Sequence, residues 1–335
     1  MITNGNINHF CTLFDSNYLS RGITMYQSLA NTGASFHLYV FAFDEQCKQV
    51  LEAMKLPRLT VISLQQFEDE ALLRVKPGRT RAEYCWTSTS STILYCIEQF
   101  NLPACTYLDA DMFFYADPAI LINEMGSKSV MITEHRYTPR YDKTALSGKY
   151  CVQFVTFKND EKGLTALRWW RNACIEWCYN RHEEGKFGDQ KYLDDWTTRF
   201  EGVHVLQHLG GGLALWNIQQ YSVIHQDGEL LCRDKRTGEE FSPVFYHFHY
   251  LKYYQDGSVE LGRRTIEPDV LQHFYIPYLK KMEAAKKEIA VCNNQFDAHG
   301  AAPAPSGIKP VLLKIYRKMQ NVYHIYNLNK LLHTK

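Results

Sequence analysis

The sequence predicts an α/β protein: a mostly parallel, mixed sheet flanked by helices, with a helical extension at the C-terminal end. Apolar runs of strand length alternate with segments of helical spacing over the first half of the chain, the order that builds parallel sheets through crossover helices. Hydrophobic residues make up 45% and aromatic residues 14% of the 335 positions, enough for a substantial core. No stretch approaches the roughly 18 apolar residues of a membrane helix.

The elements follow in order. His9 to Phe14 reads as a first buried strand stopped by Asp15-Ser16-Asn17, and Tyr18 to Ala30 carries Leu19, Ile23, Tyr26 and Leu29 at helical spacing. Phe36 to Phe43 is a second strand, Glu45 to Met54 a helix and Leu59 to Leu64 a third strand. A basic loop, Arg74 to Arg81, leads into a long helix, Ala82 to Phe100. Cys105 to Tyr115 predicts one extended strand, and Asp117-Pro118 starts a helix from Ala119 to Met125. Ser129 to Thr133 is a strand, Glu134 to Gly148 a polar loop with Arg136, Arg140 and Lys143, and Tyr150 to Lys158 a further strand. Glu161 to Arg181 is an amphipathic helix whose stripe includes Trp170, Cys174, Trp177 and Cys178. Gly210-Gly211-Gly212 marks a close backbone approach, Pro243 to Lys252 a strand, Pro268 to Ile289 a helix and Val291 to Ser306 a linker.

Charge and cysteine usage exclude some classes. The net charge of +1 argues against a whole-protein footprint for nucleic acid. From Gly307 onward six cations (Lys309, Lys314, Arg317, Lys318, Lys330, Lys335) meet no acid, so the first 306 residues carry −5 and the tail is a separate electrostatic object. Its apolar residues, among them Leu312, Ile315 and Met319, suit an anionic membrane surface. Met1 to Gly5 lacks the basic and apolar regions of a secretory signal. The ten cysteines are scattered without a C-x-x-C pair and read as reduced thiols in a cytoplasm.

The chemistry concentrates in a few places. Asp109 and Asp111 interrupt an apolar run at i and i+2, which on a strand aims both carboxylates at one point. Two like charges there call for a hard divalent cation, Mn²⁺ or Mg²⁺, with positions left open for phosphates. The turn Asp15-Ser16-Asn17-Tyr18 offers polar acceptors and an aromatic face at a strand's carboxyl end, where ligands of such sheets sit. In Tyr246-His247-Phe248-His249 the two imidazoles share a strand face, either being a ligand for the same cation, and Lys252 follows. Asp189-Gln190 follows glycines at a helix start.

Together these segments resemble the GT-A glycosyltransferases, more narrowly the family 8 group of glycogenin-like and bacterial lipopolysaccharide galactosyltransferase-like enzymes. Leu13-Phe14-Asp15-Ser16-Asn17-Tyr18 is similar to that family's nucleotide loop, and Tyr107-Leu108-Asp109-Ala110-Asp111 to its D-x-D strand. His247 to Lys252 is similar to its H-x-G-x-x-K-P-W segment, with Tyr250 in place of the glycine and Tyr253-Tyr254 in place of Pro-Trp. The resemblance implies a GT-A catalytic domain over residues 1–265, followed by a helical extension (266–290), a linker (291–306) and a basic amphipathic tail (307–335). It implies that Asp109, Asp111 and His247 hold Mn²⁺ or Mg²⁺. Asp15, Asn17, Tyr18, Asp109 and Lys252 would then bind a nucleotide-sugar donor, with Asp15, Asn17 and Tyr18 on its uracil and ribose, while Asp189 and Gln190 meet the donor sugar. The implied activity is retaining transfer from a UDP-sugar to a saccharide or lipid-linked acceptor in bacterial surface polysaccharide synthesis, on the cytoplasmic face of the cell membrane. The rival expectation is a non-catalytic sugar-nucleotide or glycolipid binding protein on the same scaffold.

Overall fold

The structure is a computed structural model, and it describes residues 7–226 and 228–333. The readings made on Met1 to Gly5 and on Lys335 lie outside the described residues. Seven strands form the main sheet: β1 (Asn8–Phe14), β2 (Phe36–Ala42), β3 (Leu59–Ser63), β4 (Ala104–Leu108), β6 (Val130–Glu134), β7 (Tyr150–Lys158) and β8 (Val203–Val205). Their order is β3-β2-β1-β4-β7-β6-β8, parallel throughout except for β7, which runs against both of its neighbours.

Alternation along β1 shows why the sheet is covered on both faces. Phe10 and Phe14 pack with Leu19, Ile23 and Leu29 of the Leu19–Asn31 helix, while Cys11 and Leu13 pack with Ile93 of the Arg81–Phe100 helix. A strand buried on both sides loses the polar alternation of a half-solvated one, which is why it reads as a continuous apolar run. The Glu161–Glu176 helix joins the second layer through Leu167 and Trp170, and the Ile276–Cys292 helix joins the first through Ala285 and Ile289.

Several predicted boundaries move. The expected Cys105–Tyr115 strand is broken: β4 ends at Leu108, Asp109 to Asp111 form a turn closed by Met112 N to Asp109 O at 3.3 Å, and β5 (Met112–Phe114) enters a second sheet. That sheet also contains β9 (Leu213–Ala214) and β13 (Phe245–His247), the two strands that β10 (Tyr221–Gln226), β11 (Glu229–Asp234) and β12 (Glu240–Phe241) separate in sequence. The helix expected to reach Arg181 stops at Glu176, because the Tyr192 hydroxyl donates to the carbonyls of Ala173 and Trp177 at 3.2 and 2.8 Å and Trp177 turns extended.

The C-terminal third also differs from expectation. The segment expected to be a linker carries His299, only 3% exposed, whose Nδ1 lies 2.8 Å from Ser20 Oγ and whose Nε2 lies 2.7 Å from Glu283. A buried imidazole with both nitrogens partnered belongs to the fold. Past β14 (Lys252–Tyr253) and β15 (Ser258–Glu260), the tail supplies β16 (Ile325–Asn327) to β15, and Leu331 is buried. The Ile308–Met319 helix keeps an open apolar face, with Leu312, Ile315, Tyr316 and Met319 exposed.

Candidate metal and nucleotide site

The acidic pair converges with the histidine segment by strand pairing between the two sheets. Antiparallel pairing of β13 with β5 sets His247 opposite Met112, and Phe248 N donates to Asp111 O at 2.9 Å. His247 Nε2 then lies 2.9 Å from Asp111 Oδ1 and 3.6 Å from Asp109 Oδ2. Asp111, His247 and His249 present ligand atoms all within 4.8 Å of one another. β13 ends at His247, and Tyr250 adopts a left-handed φ of 73°, so His249 reaches the cluster from a turn and not from the strand face expected.

The acids and imidazoles of the cluster shift one another's charges. Burial opposes charge on Asp111, but His247 and then His249 and Arg21 hold its carboxyl down to about 2. Burial, reinforced by Asp111 and partly offset by His247, pushes Asp109 up to about 6. Burial also disfavours a charged His247, yet the charge and hydrogen bond of Asp111 hold its imidazole well above the ordinary value. His247 Nδ1 is 2.6 Å from Gln153 Oε1, so the Nδ1–H donates there and Nε2 faces the carboxylates. Two carboxylates and imidazole nitrogen with a fixed tautomer are a donor set that fits Mn²⁺ or Mg²⁺, and Asp109, Asp111 and His247, with His249 beside them, are the residues that could hold it.

The Asp15-to-Tyr18 turn stands at the carboxyl end of β1. Asp15 accepts from Asn17 N at 2.8 Å and pairs with Arg81, whose Nη2 also reaches Asp44 at 2.9 Å. Burial raises the Asp15 carboxyl, with Arg81 opposing. Asn17 and Tyr18 are exposed. Below Tyr18, Arg21 is 4% exposed, with its Cζ 4.4 Å from the Tyr18 ring centroid. Its Nη1 donates to His299 O at 3.0 Å and its Nη2 to Leu251 O at 3.1 Å, tying the turn to the histidine segment and to the C-terminal strap.

The remaining predicted residues are placed as follows. Asp189 is buried, and burial together with Asp109 raises it to about 7. It lies in a turn that continues into a 3₁₀ segment, Lys191–Asp195, where a helix was expected. Gln190 Nε2 is taken by Ser147 O, which ties the polar 134–148 loop to this side of the site. Lys252 is exposed at the start of β14, close enough for its charge to act on His249. Arg136 is occupied by backbone carbonyls, including His208 O at 3.1 Å, and Lys76, Arg79 and Arg81 of the basic loop all have partners.

Sequence reasoning missed Gln153, Arg21 and Trp216. Gln153 left a signal, a polar residue in the middle of the apolar β7 run, and Arg21 another, a cation one helical turn past Tyr18 on a buried face. Trp216 closes the site from the side, its ring centroid 5.3 Å from that of His247 and 5.7 Å from that of His249. Gly212, beside Gln153, has a φ of 103°, and a Cβ there would stand 2.9 Å from Thr133 and 3.2 Å from Gln153 Nε2. The glycine run is therefore a close approach, as its sequence implies.

The fold is that of the GT-A glycosyltransferases. The solved galactosyltransferase LgtC, in complex with donor and acceptor sugar analogs, superposes with a TM-score of 0.50 at 10% identity over 82% of this chain and 95% of LgtC. No protein-family model matches the chain. The chain belongs to the family of two Bacillus subtilis (strain 168) proteins, YfnD and YfnF, both named as uncharacterized. It is 30% identical to YfnD over 290 residues, covering 84% of this chain and 90% of YfnD. It is 31% identical to YfnF over 271 residues, covering 78% of this chain and 87% of YfnF.

Proposed function

We propose that this protein is a metal-dependent glycosyltransferase that moves a sugar, with retention, from a UDP-sugar to a saccharide or glycolipid acceptor in bacterial surface polysaccharide synthesis. The observation that carries this reading is the convergence of Asp109, Asp111, His247 and His249 beside the exposed Tyr18 ring. Asp109, Asp111 and His247 hold Mn²⁺ or Mg²⁺, and Asp15, Asn17 and Tyr18 hold the base and ribose. When bound, the cation supplies Lewis-acid stabilisation of the departing diphosphate. Lys252 adds a positive charge for the same phosphates. Asp189, raised to about 7, keeps its proton close to neutrality and donates a hydrogen bond to the donor sugar, with Gln190 beside it.

The deciding experiment is hydrolysis of a panel of UDP-sugars by the purified protein with and without Mn²⁺. Turnover of at least one donor that vanishes with EDTA supports the reading. Nucleotide-sugar binding without turnover across the panel would instead make the chain a binding protein on this scaffold.

We assign the Ile308–Met319 helix to the anionic cytoplasmic face of a membrane. Among the described residues no helix is long and apolar enough to cross a membrane. Leu312, Ile315 and Met319 stand exposed beside Lys314 and Lys318, the arrangement of a helix that lies in an interface. Replacing these three apolar residues by Gln should release the protein from phosphatidylglycerol vesicles. Equal retention of the variant would remove the assignment.

A further inference from the structure

Beyond the acidic cluster, on the side of His249, the protein buries a cation that the transferase reading does not use. Arg264 is 8% exposed, and its Nη1 is buried without a hydrogen-bond partner. The acids on either side in sequence do not pair with it: Glu260 Oε1 is taken by Arg263 at 3.0 Å and by Arg317 at 3.1 Å, and Glu267 is exposed to solvent. A buried guanidinium with an idle nitrogen is costly, and such groups are ordinarily matched by a carboxylate or phosphate.

The surroundings show what kind of molecule would bring that anion. The Arg264 Cζ lies 5.2 Å from the Tyr141 ring centroid, and Tyr141 is fixed by its hydroxyl, which accepts from Thr265 N at 3.0 Å. Tyr250 is 47% exposed in its left-handed turn, with its ring centroid 3.9 Å from that of His249. A Cβ built on Gly262 would lie 3.9 Å from Tyr250 Cβ, which brings the chain leading into Arg264 against that turn. A half-buried and an exposed tyrosine beside a fixed cation are suited to a sugar ring that carries an oxyanion.

Position separates this cation from the diphosphate. Asp109 and Asp111 pair with His247 and not with Arg264. The contacts that lead from that cluster toward Arg264 run through His249, the Tyr250 ring whose centroid lies 3.9 Å from it, and the Gly262 backbone packed against Tyr250.

We propose that Arg264, with Tyr141 and Tyr250, forms an acceptor subsite for a saccharide bearing an anionic group, a uronate carboxylate or a sugar phosphate. This inference rests on the transferase reading for the word acceptor, while the binding it requires is measurable without turnover. The complex with Mn²⁺ and UDP is titrated calorimetrically with p-nitrophenyl β-D-glucuronide, glucose 6-phosphate and p-nitrophenyl β-D-glucoside. The wild type should bind at least one acidic sugar about tenfold more tightly than the neutral one, and which acid wins identifies carboxylate or phosphate as the anion. Arg264→Gln should erase that preference, Arg264→Lys should keep part of it, and UDP affinity should change less than about twofold in both.

Equal binding of all three sugars to the wild type overturns the proposal, and needs no variant to fold. So does a preference that survives in Arg264→Gln, or a loss of UDP affinity as large as the loss for the acidic sugar, which would make the donor diphosphate the partner of Arg264. A wild type that fails to bind UDP with Mn²⁺ would defeat the transferase reading instead. The acidic-over-neutral preference would still report on Arg264 in that case.

Discussion

His247 Nδ1 lies 2.6 Å from Gln153 Oε1, and this contact between β13 and the middle of the main sheet aims Nε2 at Asp111. A ligand whose far nitrogen is held needs no reorientation when it binds metal. Gln153→Met should therefore lower Mn²⁺ affinity about 10- to 100-fold, read by electron paramagnetic resonance of free Mn²⁺. Its melting temperature should fall as well, because the buried His247 Nδ1–H is left without an acceptor. Unchanged affinity would show that Gln153 does not orient the imidazole.

Asp111 is the carboxylate that His247 approaches most closely, at 2.9 Å. Asp111→Asn keeps the shape and removes the charge. Mn²⁺-dependent hydrolysis of the UDP-sugar should fall by at least about 100-fold, with the circular dichroism spectrum unchanged. Wild-type turnover in this variant would remove the metal role.

The pH response of the metal-free protein follows from three groups shifted in one direction. Asp109 near 6 and Asp189 near 7 both hold protons in the folded state that they lose in the unfolded state near 4. Their contribution to stability therefore falls as pH rises from about 4 to about 7. His247, raised well above its ordinary value, stabilises fully below the unfolded value and loses that contribution as pH climbs through its folded one. Mn²⁺ binds the deprotonated cluster, so its thermal shift should be small at about pH 5 and grow toward about pH 8. A shift independent of pH would place the metal elsewhere.

Arg21 supports one face of Tyr18 from 4.4 Å, and the ring stays exposed. Arg21→Met should weaken UDP binding about tenfold, the scale of a desolvated cation–π contact together with loss of the loop's anchor. Mn²⁺ binding in the absence of nucleotide should not weaken, because the variant removes a cation that acts on Asp111. Calorimetry with each ligand separately checks the split.

All ten cysteines are free thiols, and Cys292 alone is exposed. Titration of the folded protein with an aromatic disulfide reagent should show one fast thiol, with the others reacting only on unfolding. Cys292→Ser should remove the fast phase.

What the sequence by itself determined was local. The alternation of strands and helices was legible because burial on both faces turns β1, β2 and β7 into apolar runs bounded by turn residues. Asp15, Tyr18, Asp109, Asp111 and His247 stood out because polar groups in apolar surroundings are conspicuous without any knowledge of the fold. The two carboxylates are paired not by an extended strand, as their i and i+2 spacing implies, but by a turn in which the chain changes sheets.

Only the tertiary structure decided which groups complete the site. Gln153 meets His247 across 94 positions, Arg21 meets His299 across 278, and Tyr141 meets Thr265 across 124. Local propensity carries no information about such pairings. They exist because burying the two sheets and the C-terminal strap against one another leaves their polar groups no partner except each other.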